Sequence, residues 1–449
     1  MRDKNNLLAK IIYEARSYKS FEEIEKLVET GLDLANVPLQ PLYVSLLSAP
    51  TEQVAVILPK LSREQRQSLL DLDLWNKDNV DVFSFEYWLE AYSKVREHDI
   101  VKEFVNSDDF FLYLKSRVNI HTFDAEDPEY PDHDNYFLTD DTLLLVEYGE
   151  DYSLGNELRY FIRHLYDSLG VENAYSALFK LINESFSALQ ETEYVNKKER
   201  LREYGFVDYY EANESLYPFL SLKRIDKFIQ NKAKVEARVD ALARNQSLHS
   251  SALAQFDKEM ENILFELSKA TNEQRKRYLH FNFVRLINST ITLNDALRGG
   301  RVELAKIGKT TKAALDLGLQ YCKTKRTFDK GESVFDVFDF GEIYKIGRSL
   351  WDIKQREIKK AVKSAPFAKE DLEGFLGAWW SSFLESSFEE VPKVKSFGAG
   401  LHSKLVDDLK TWNFWSRQVG VFVSLVPFIS KFLETFNELK KQSKLNDQF

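Results

Sequence analysis

Cysteine is nearly missing from this 449-residue chain: Cys322 stands alone. A single thiol excludes an intramolecular disulfide framework, and its helical surroundings make it a reduced, inert side chain. A reactive thiol here would have only Lys323, Lys325 and Arg326 to activate it. Proline (10) and glycine (17) are scarce, which leaves few breakers and favours long helices. Long apolar runs are missing too. The longest, from Val419 to Ile429, is interrupted by Ser424 and Pro427 and falls well short of the ~20 residues that span a bilayer. The opening Met1-Arg-Asp-Lys-Asn-Asn-Leu7 has no apolar core of a secretory signal. Together these absences predict a soluble, cytoplasmic protein without a transmembrane segment.

Catalytic signatures are equally sparse. There is no nucleophile elbow and no cysteine pair. Gly308-Lys-Thr-Thr311 matches the end of a phosphate-binding loop, but Glu303 stands where its first glycine belongs and the flanks are helical in pattern. His98, His164, His249, His280 and His402 are dispersed and read as surface or satisfied core residues. No catalytic or cofactor-binding residue is assigned.

What the chain does have is aromatic bulk, with 33 Phe, 21 Tyr and 7 Trp, enough for a large core and for more than one packing unit. Its charge is unevenly placed. The total is −10, yet Asp81 to Asp151 holds 19 acidic against 5 basic residues, and Lys223 to Lys363 holds 29 basic against 18 acidic. Either the two regions face one another, or the basic one meets an anionic partner, nucleic acid or lipid. Overall acidity and the acids scattered through the basic region favour a solvated helical surface.

Periodicity gives an all-α fold with one small β-hairpin insertion near 118–149. Residues 1–117 form a short-helix superhelical array, 118–150 an acidic loop and hairpin, and 151–449 a bundle of long helices with a further boundary near 327–339. In the first part, Leu7, Leu8, Ile11, Ile12 and Ala15 make one stripe; Ser20 with Glu23 makes a capping box ahead of a stripe at Ile24, Leu27, Val28 and Leu32. Ser62 with Gln65 makes another box, and Ser107 caps a helix with acids in its first turn. Val118 to Phe123 alternates as a strand. Asn135–Leu138 and Thr142–Tyr148 form a hairpin across Thr139-Asp-Asp141. Such a hairpin is marginal alone, so it packs on helices or takes 118–123 as a third strand. Arg200–Ala212 and Leu216–Phe219 read as connecting segments. Trp379, Trp380, Trp412 and Trp415 with Val421, Val423 and Phe428 supply the core of the tail.

Two resemblances follow from particular residues. The units Ser48–Leu58 and Pro59–Leu70 resemble the intracellular N-terminal superhelix of MgtE-type magnesium transporters, which implies stacked short helices. Leu69-Leu-Asp-Leu-Asp-Leu-Trp75, Arg202-Glu-Tyr-Gly-Phe-Val-Asp-Tyr-Tyr-Glu-Ala212 and Phe340-Gly-Glu-Ile-Tyr-Lys-Ile-Gly-Arg-Ser-Leu350 resemble segments of a bacterial family of long helical proteins found mainly among deltaproteobacteria and bdellovibrio-like predators. That family has no established activity, so the resemblance implies fold and compartment only.

The densest chemistry lies between His121 and Asp134. His121, Asp124, Glu126, Asp132 and His133, with Asp127, Glu129 and Asp134, offer imidazole and carboxylate ligands for a divalent metal. Their spacing matches neither a zinc helix nor a calcium loop, and Pro128 and Pro131 keep the segment extended. The loop reads first as a solvated acidic surface, then equally as a metal site or as a docking segment for a basic partner. The functional expectation is a non-enzymatic cytoplasmic interaction or scaffold protein with a protein partner and no cofactor. The alternatives are a metal-dependent enzyme or metal-binding regulator using the His121–Asp134 loop, and a binder of nucleic acid or anionic lipid through 223–363.

Overall fold

In a computed structural model the residues described are 33–47, 49–235, 261–270, 272–363, 372–395 and 403–441, with Lys26, Glu29, Gly31 and Ala365. The expected stripes at Leu7–Ala15 and Ile24–Leu32 and the Ser20 capping box lie outside them. The described residues hold seventeen α-helices and seven short strands. The fold is all-α with small hairpin insertions.

The first helices are short because turns interrupt them often: α1 (Leu39–Leu46), α2 (Thr51–Ile57) and α3 (Arg63–Asp73). Prolines stand before the first two, at Pro38 and Pro50. Ser62 starts α3 by the anticipated box, its hydroxyl accepting from the Gln65 amide while the Gln65 side chain accepts from the Ser62 amide. A two-stranded hairpin follows, β1 (Trp75–Asn76) with β2 (Asn79–Val80), then α4 (Val82–Ser93), α5 (His98–Val105) and α6 (Asp108–Arg117). Ser107 caps α6, accepting from the Phe110 amide.

The strand at 118–123 does join the hairpin. β3 (Val118–Thr122), β4 (Tyr136–Leu138) and β5 (Leu144–Tyr148) form an antiparallel sheet ordered β3-β5-β4. Its central strand buries Leu144, Leu145 and Val146. The single insertion expected from sequence is therefore one of three: β1–β2 precedes it, and β6 (Lys393–Lys395) pairs with β7 (Ser403–Leu405) near the end. Two-residue and three-residue strands are too short to leave an alternation pattern.

The body runs through α7 (Gly155–Leu169), α8 (Val171–Asn183), α9 (Phe186–Glu203), α10 (Tyr209–Leu216), α11 (Leu222–Asn231), α12 (Glu261–Lys269), α13 (Glu273–Leu293), α14 (Gly300–Lys325), α15 (Phe340–Lys363), α16 (Leu372–Ser387) and α17 (Leu409–Lys441). The segment read as a connection from Arg200 to Ala212 is mostly helical: Arg200 belongs to α9 and Tyr209–Ala212 to α10. Only the turn at Gly205 interrupts them. Gly205 sits at φ 78, and the Phe206 amide bonds back to the Leu201 carbonyl, a helix stop that residues with a Cβ rarely adopt.

α14 and α15 cross in close backbone contact. A Cβ at Gly347 would fall on the backbone of Ala314, and one at Gly318 on the backbone of Ile343, so these glycines are needed where they stand. Gly308–Thr311 lies inside α14, with Thr311 buried, and forms no loop. Cys322 is buried on the same helix, and burial pushes its thiol pKa up. The tail expectation was half right. Trp412 and Trp415 are buried, but Val421 and Phe428 face outward, 52% and 70% exposed. Periodicity finds an apolar stripe without saying which part a neighbour covers. Pro427 does not end α17, which runs for 33 residues and is long and apolar enough to cross a membrane by length and composition. Apolar residues from Leu34 to Val426 join in one contiguous core.

Candidate functional site

Two of the three segments that carried the family resemblance meet in space. Asp71, Leu72 and Trp75 from the end of α3 and β1, and Phe206, Val207, Asp208 and Tyr209 from the turn after α9, face one recess of about 220 Å³. Lys197 and Leu201 of α9 and the α13–α14 connection around Asp295 and Arg298 complete its wall. The space holds about seven waters at ~30 Å³ each. It lies between the end of α3 with β1 and the elements α9, α13 and α14.

The recess is held together by its own side chains. Asp73, buried, accepts from the Tyr43 hydroxyl at 2.6 Å and the Trp88 indole at 2.7 Å, which anchors the end of α3. Arg298 donates to Asp81 at 2.8 Å and to the carbonyls of Asp73 at 2.6 Å and Trp75 at 3.2 Å, tying the β1–β2 hairpin to the body. This is also a direct pairing between the acidic stretch 81–151 and the basic stretch 223–363. Much of the remaining basic charge is paired with acids of its own neighbourhood, as in Lys323 and Lys269 on Glu266 and Lys325 on Asp226.

Beneath the recess lie three buried carboxylates, Asp71 on α3, Asp109 on α6 and Glu193 on α9, with ligating oxygens all within 4.8 Å of one another. Arg200 forks onto Asp71, Nε to Oδ2 at 2.8 Å and Nη2 to Oδ1 at 2.7 Å, and also donates to Glu193. Gln67 donates to Asp109 Oδ2 at 2.5 Å, and Asn196 to Glu193 at 3.2 Å. Asp109 Oδ1 has no partner. Burial, together with the charges of Asp71 and Glu193, pushes the Asp109 pKa up to about 8, so this carboxyl holds a proton at neutral pH. Burial also raises Asp71 and Glu193, with Arg200 opposing both shifts. The trio could in principle hold a hard cation through oxygen. Here the Arg200 guanidinium already engages Asp71 and Glu193, and a proton occupies Asp109.

Lys197 sits one turn from Arg200 and Glu193 on the same face of α9 and points into the recess. Its ammonium lies 4.8 Å from the Trp75 ring centroid and 5.2 Å from that of Tyr194, and donates to the Lys77 carbonyl at 3.3 Å. Among the described residues, no carboxylate lies within ion-pair distance of it. Burial brings its pKa down to about 8, against the opposing pull of Asp71 and Asp208. Two of the three described non-glycine residues at positive φ are at this recess, Lys77 (59°) and Asp295 (49°). Strained backbone of this kind collects at functional sites.

The residues singled out from sequence lie elsewhere. His121 on β3 and His133 in the loop converge on Glu147 of β5, Nε2 to Oε2 at 3.1 Å and Nε2 to Oε1 at 3.0 Å. Glu147 had not been singled out. Asp124 caps its own turn through the Glu126 amide at 2.9 Å, and Glu126 and Asp132 are exposed; none of the three joins the histidines. His133 Nδ1 accepts from the Asn135 amide at 3.2 Å, which assigns the ring proton to Nε2. That tautomer suits a donor to Glu147 and is opposite to the one a metal at Nε2 requires. As built, the pair fastens the loop to the sheet.

Asp109, Glu193, Lys197 and Arg200 were missed in the sequence. One signal for them existed. Glu193, Lys197 and Arg200 fall at i, i+4 and i+7, a charged stripe in the positions where a packed helix carries apolar residues.

Residues 30–398 match a family described as a family of unknown function (DUF6178). No curated protein and no solved structure matches the chain.

Proposed function

Since the chain belongs to this family of unknown function, we propose from its own geometry that it is a ligand-binding protein whose recess at Lys197 holds a small anionic molecule. One observation carries the reading. The Lys197 ammonium is half-buried against aromatic rings with no acidic partner among the described residues, whereas its neighbours Arg200 and Arg298 are engaged by Asp71, Glu193 and Asp81. An anion entering the recess supplies the missing counter-charge, and the exposed Lys77 and Lys198 at the rim add to the attraction. Removing an ammonium from water without a partner is costly, so binding recovers that cost.

The test is a thermal-melt titration of the full chain with lactate and with inorganic phosphate. Binding raises the melting temperature with anion concentration, and Lys197→Met abolishes the rise. No rise in the native protein, or an equal rise in the variant, overturns the reading.

A second reading, an interaction role with a protein partner, is supported by the outward apolar residues of α17, among them Phe414, Val421 and Phe428. Cytoplasmic residence belongs to the same proposal. Affinity purification from the native host tests it, with a reproducible stoichiometric partner as the supporting result and none as the opposing one.

A further inference from the structure

We infer that Lys197 is a carbonyl-reactive amine, and that the recess accepts a small 2-oxo acid whose carbonyl forms an imine with its Nζ. The inference rests on the anion-binding reading and adds chemistry to it.

Three features of the site point this way. Among the described residues, Lys197 Nζ is not committed to a carboxylate, and its one hydrogen bond, to the Lys77 carbonyl, is long at 3.3 Å. The side chain is walled by Trp75 and Tyr194, and Tyr194 is itself fixed by donating to Asp208. The amine therefore has a defined position while retaining a lone pair to offer once its proton leaves. The rim carries two further ammonium groups for the acid's carboxylate: Lys77, 4.6 Å from the Tyr209 ring, and Lys198, 3.9 Å from Asp208. The recess volume of about 220 Å³ suits a molecule of this size.

The depressed pKa of about 8 makes the chemistry accessible near neutrality. At pH 7 an amine with that pKa is neutral on the order of a hundredfold more often than an ordinary lysine. In the step itself the Nζ lone pair forms the C–N bond and the carbonyl π pair moves to oxygen, giving a carbinolamine. The two hydrogens of the neutral amine then leave with that oxygen as water, and the C=N bond forms. Amine and carbonyl become imine and water, with no oxidant or reductant.

The experiment incubates the full chain with pyruvate or glyoxylate, reduces any imine with borohydride and maps the adduct by peptide mass spectrometry. The expected result is an adduct at Lys197 in large excess over Lys77 and Lys198, lost in Lys197→Arg and growing as pH rises toward 8. Lys180→Arg, at a solvent-exposed lysine outside the recess lining, leaves it unchanged. Lactate, which has the carboxylate but no carbonyl, separates the two claims. If lactate stabilises the protein in a Lys197-dependent way but the oxo acids leave no adduct at Lys197, the imine is wrong and the binding site stands. If neither lactate nor oxo acid binds, both fall. An adduct spread evenly over surface lysines also overturns the imine.

Discussion

The acidic loop and the buried cluster under the recess use the same residue types to opposite effect. In the loop, eight acids and histidines crowd into fourteen positions, but most of them point into water and only His121 and His133 meet, on Glu147. In the cluster, Asp71, Asp109, Glu193 and Arg200 come from three helices, Arg200 lying 129 positions from Asp71, and the three carboxylates are buried. Density along the chain therefore says little about electrostatic strength. Water screens the loop's charges, whereas desolvation makes each charge in the cluster depend on its partner.

The sharpest way to break this contrast is Arg200→Met. Asp71 and Glu193 lose their guanidinium partner, and removing one partner of a buried network costs roughly 3–5 kcal/mol. Urea denaturation should show that loss as a lower midpoint, and a change below about 1 kcal/mol would mean the cluster is solvated. Gly347→Ala provides a purely steric comparison, because its methyl meets the α14 backbone. Overpacking of this kind costs about 1–3 kcal/mol by the same measurement.

Next in size is the effect of pH. Asp109 is raised from 3.8 to about 8, so the folded state holds a proton that the unfolded chain releases. Its contribution to stability is complete below about pH 4 and is lost as pH rises through about 8. Lys197 is lowered from 10.5 to about 8, so between these values the unfolded chain holds the extra proton and stability rises with pH. Melting temperatures across this range should fall and then recover, with Asp109→Asn flattening the lower limb and Lys197→Met the upper. A profile unchanged by either variant would contradict the assigned protonation states.

The smallest effect is expected in the loop. His121→Ala with His133→Ala removes two exposed contacts to Glu147 and should cost less than about 1 kcal/mol. If added zinc or manganese stabilises the native protein but not this variant, the loop is a metal site after all and the contrast narrows.

How much could be read in advance depended on range. The Ser62–Gln65 box, the Ser107 cap and the strand at 118–122 were visible because each is decided within a few residues. The resemblance segments at 69–75 and 202–212 were visible too, but their convergence was not. Glu147 went unnoticed because strand register, with His121 opposite Leu145, sets what the neighbouring histidine can reach. Val421 and Phe428 were placed in the core because a stripe alone does not identify its cover.

Composition and periodicity alone determined the helical class and the position of the three-stranded insertion, since these depend on local backbone preference and on burying one apolar face. Only the tertiary structure decided that Asp109 keeps a proton, that Lys197 has no carboxylate partner among the described residues and that the loop histidines clasp a carboxylate. Those properties depend on how much water remains around a group and on which distant side chain replaces it, and neither is a property of neighbours in sequence.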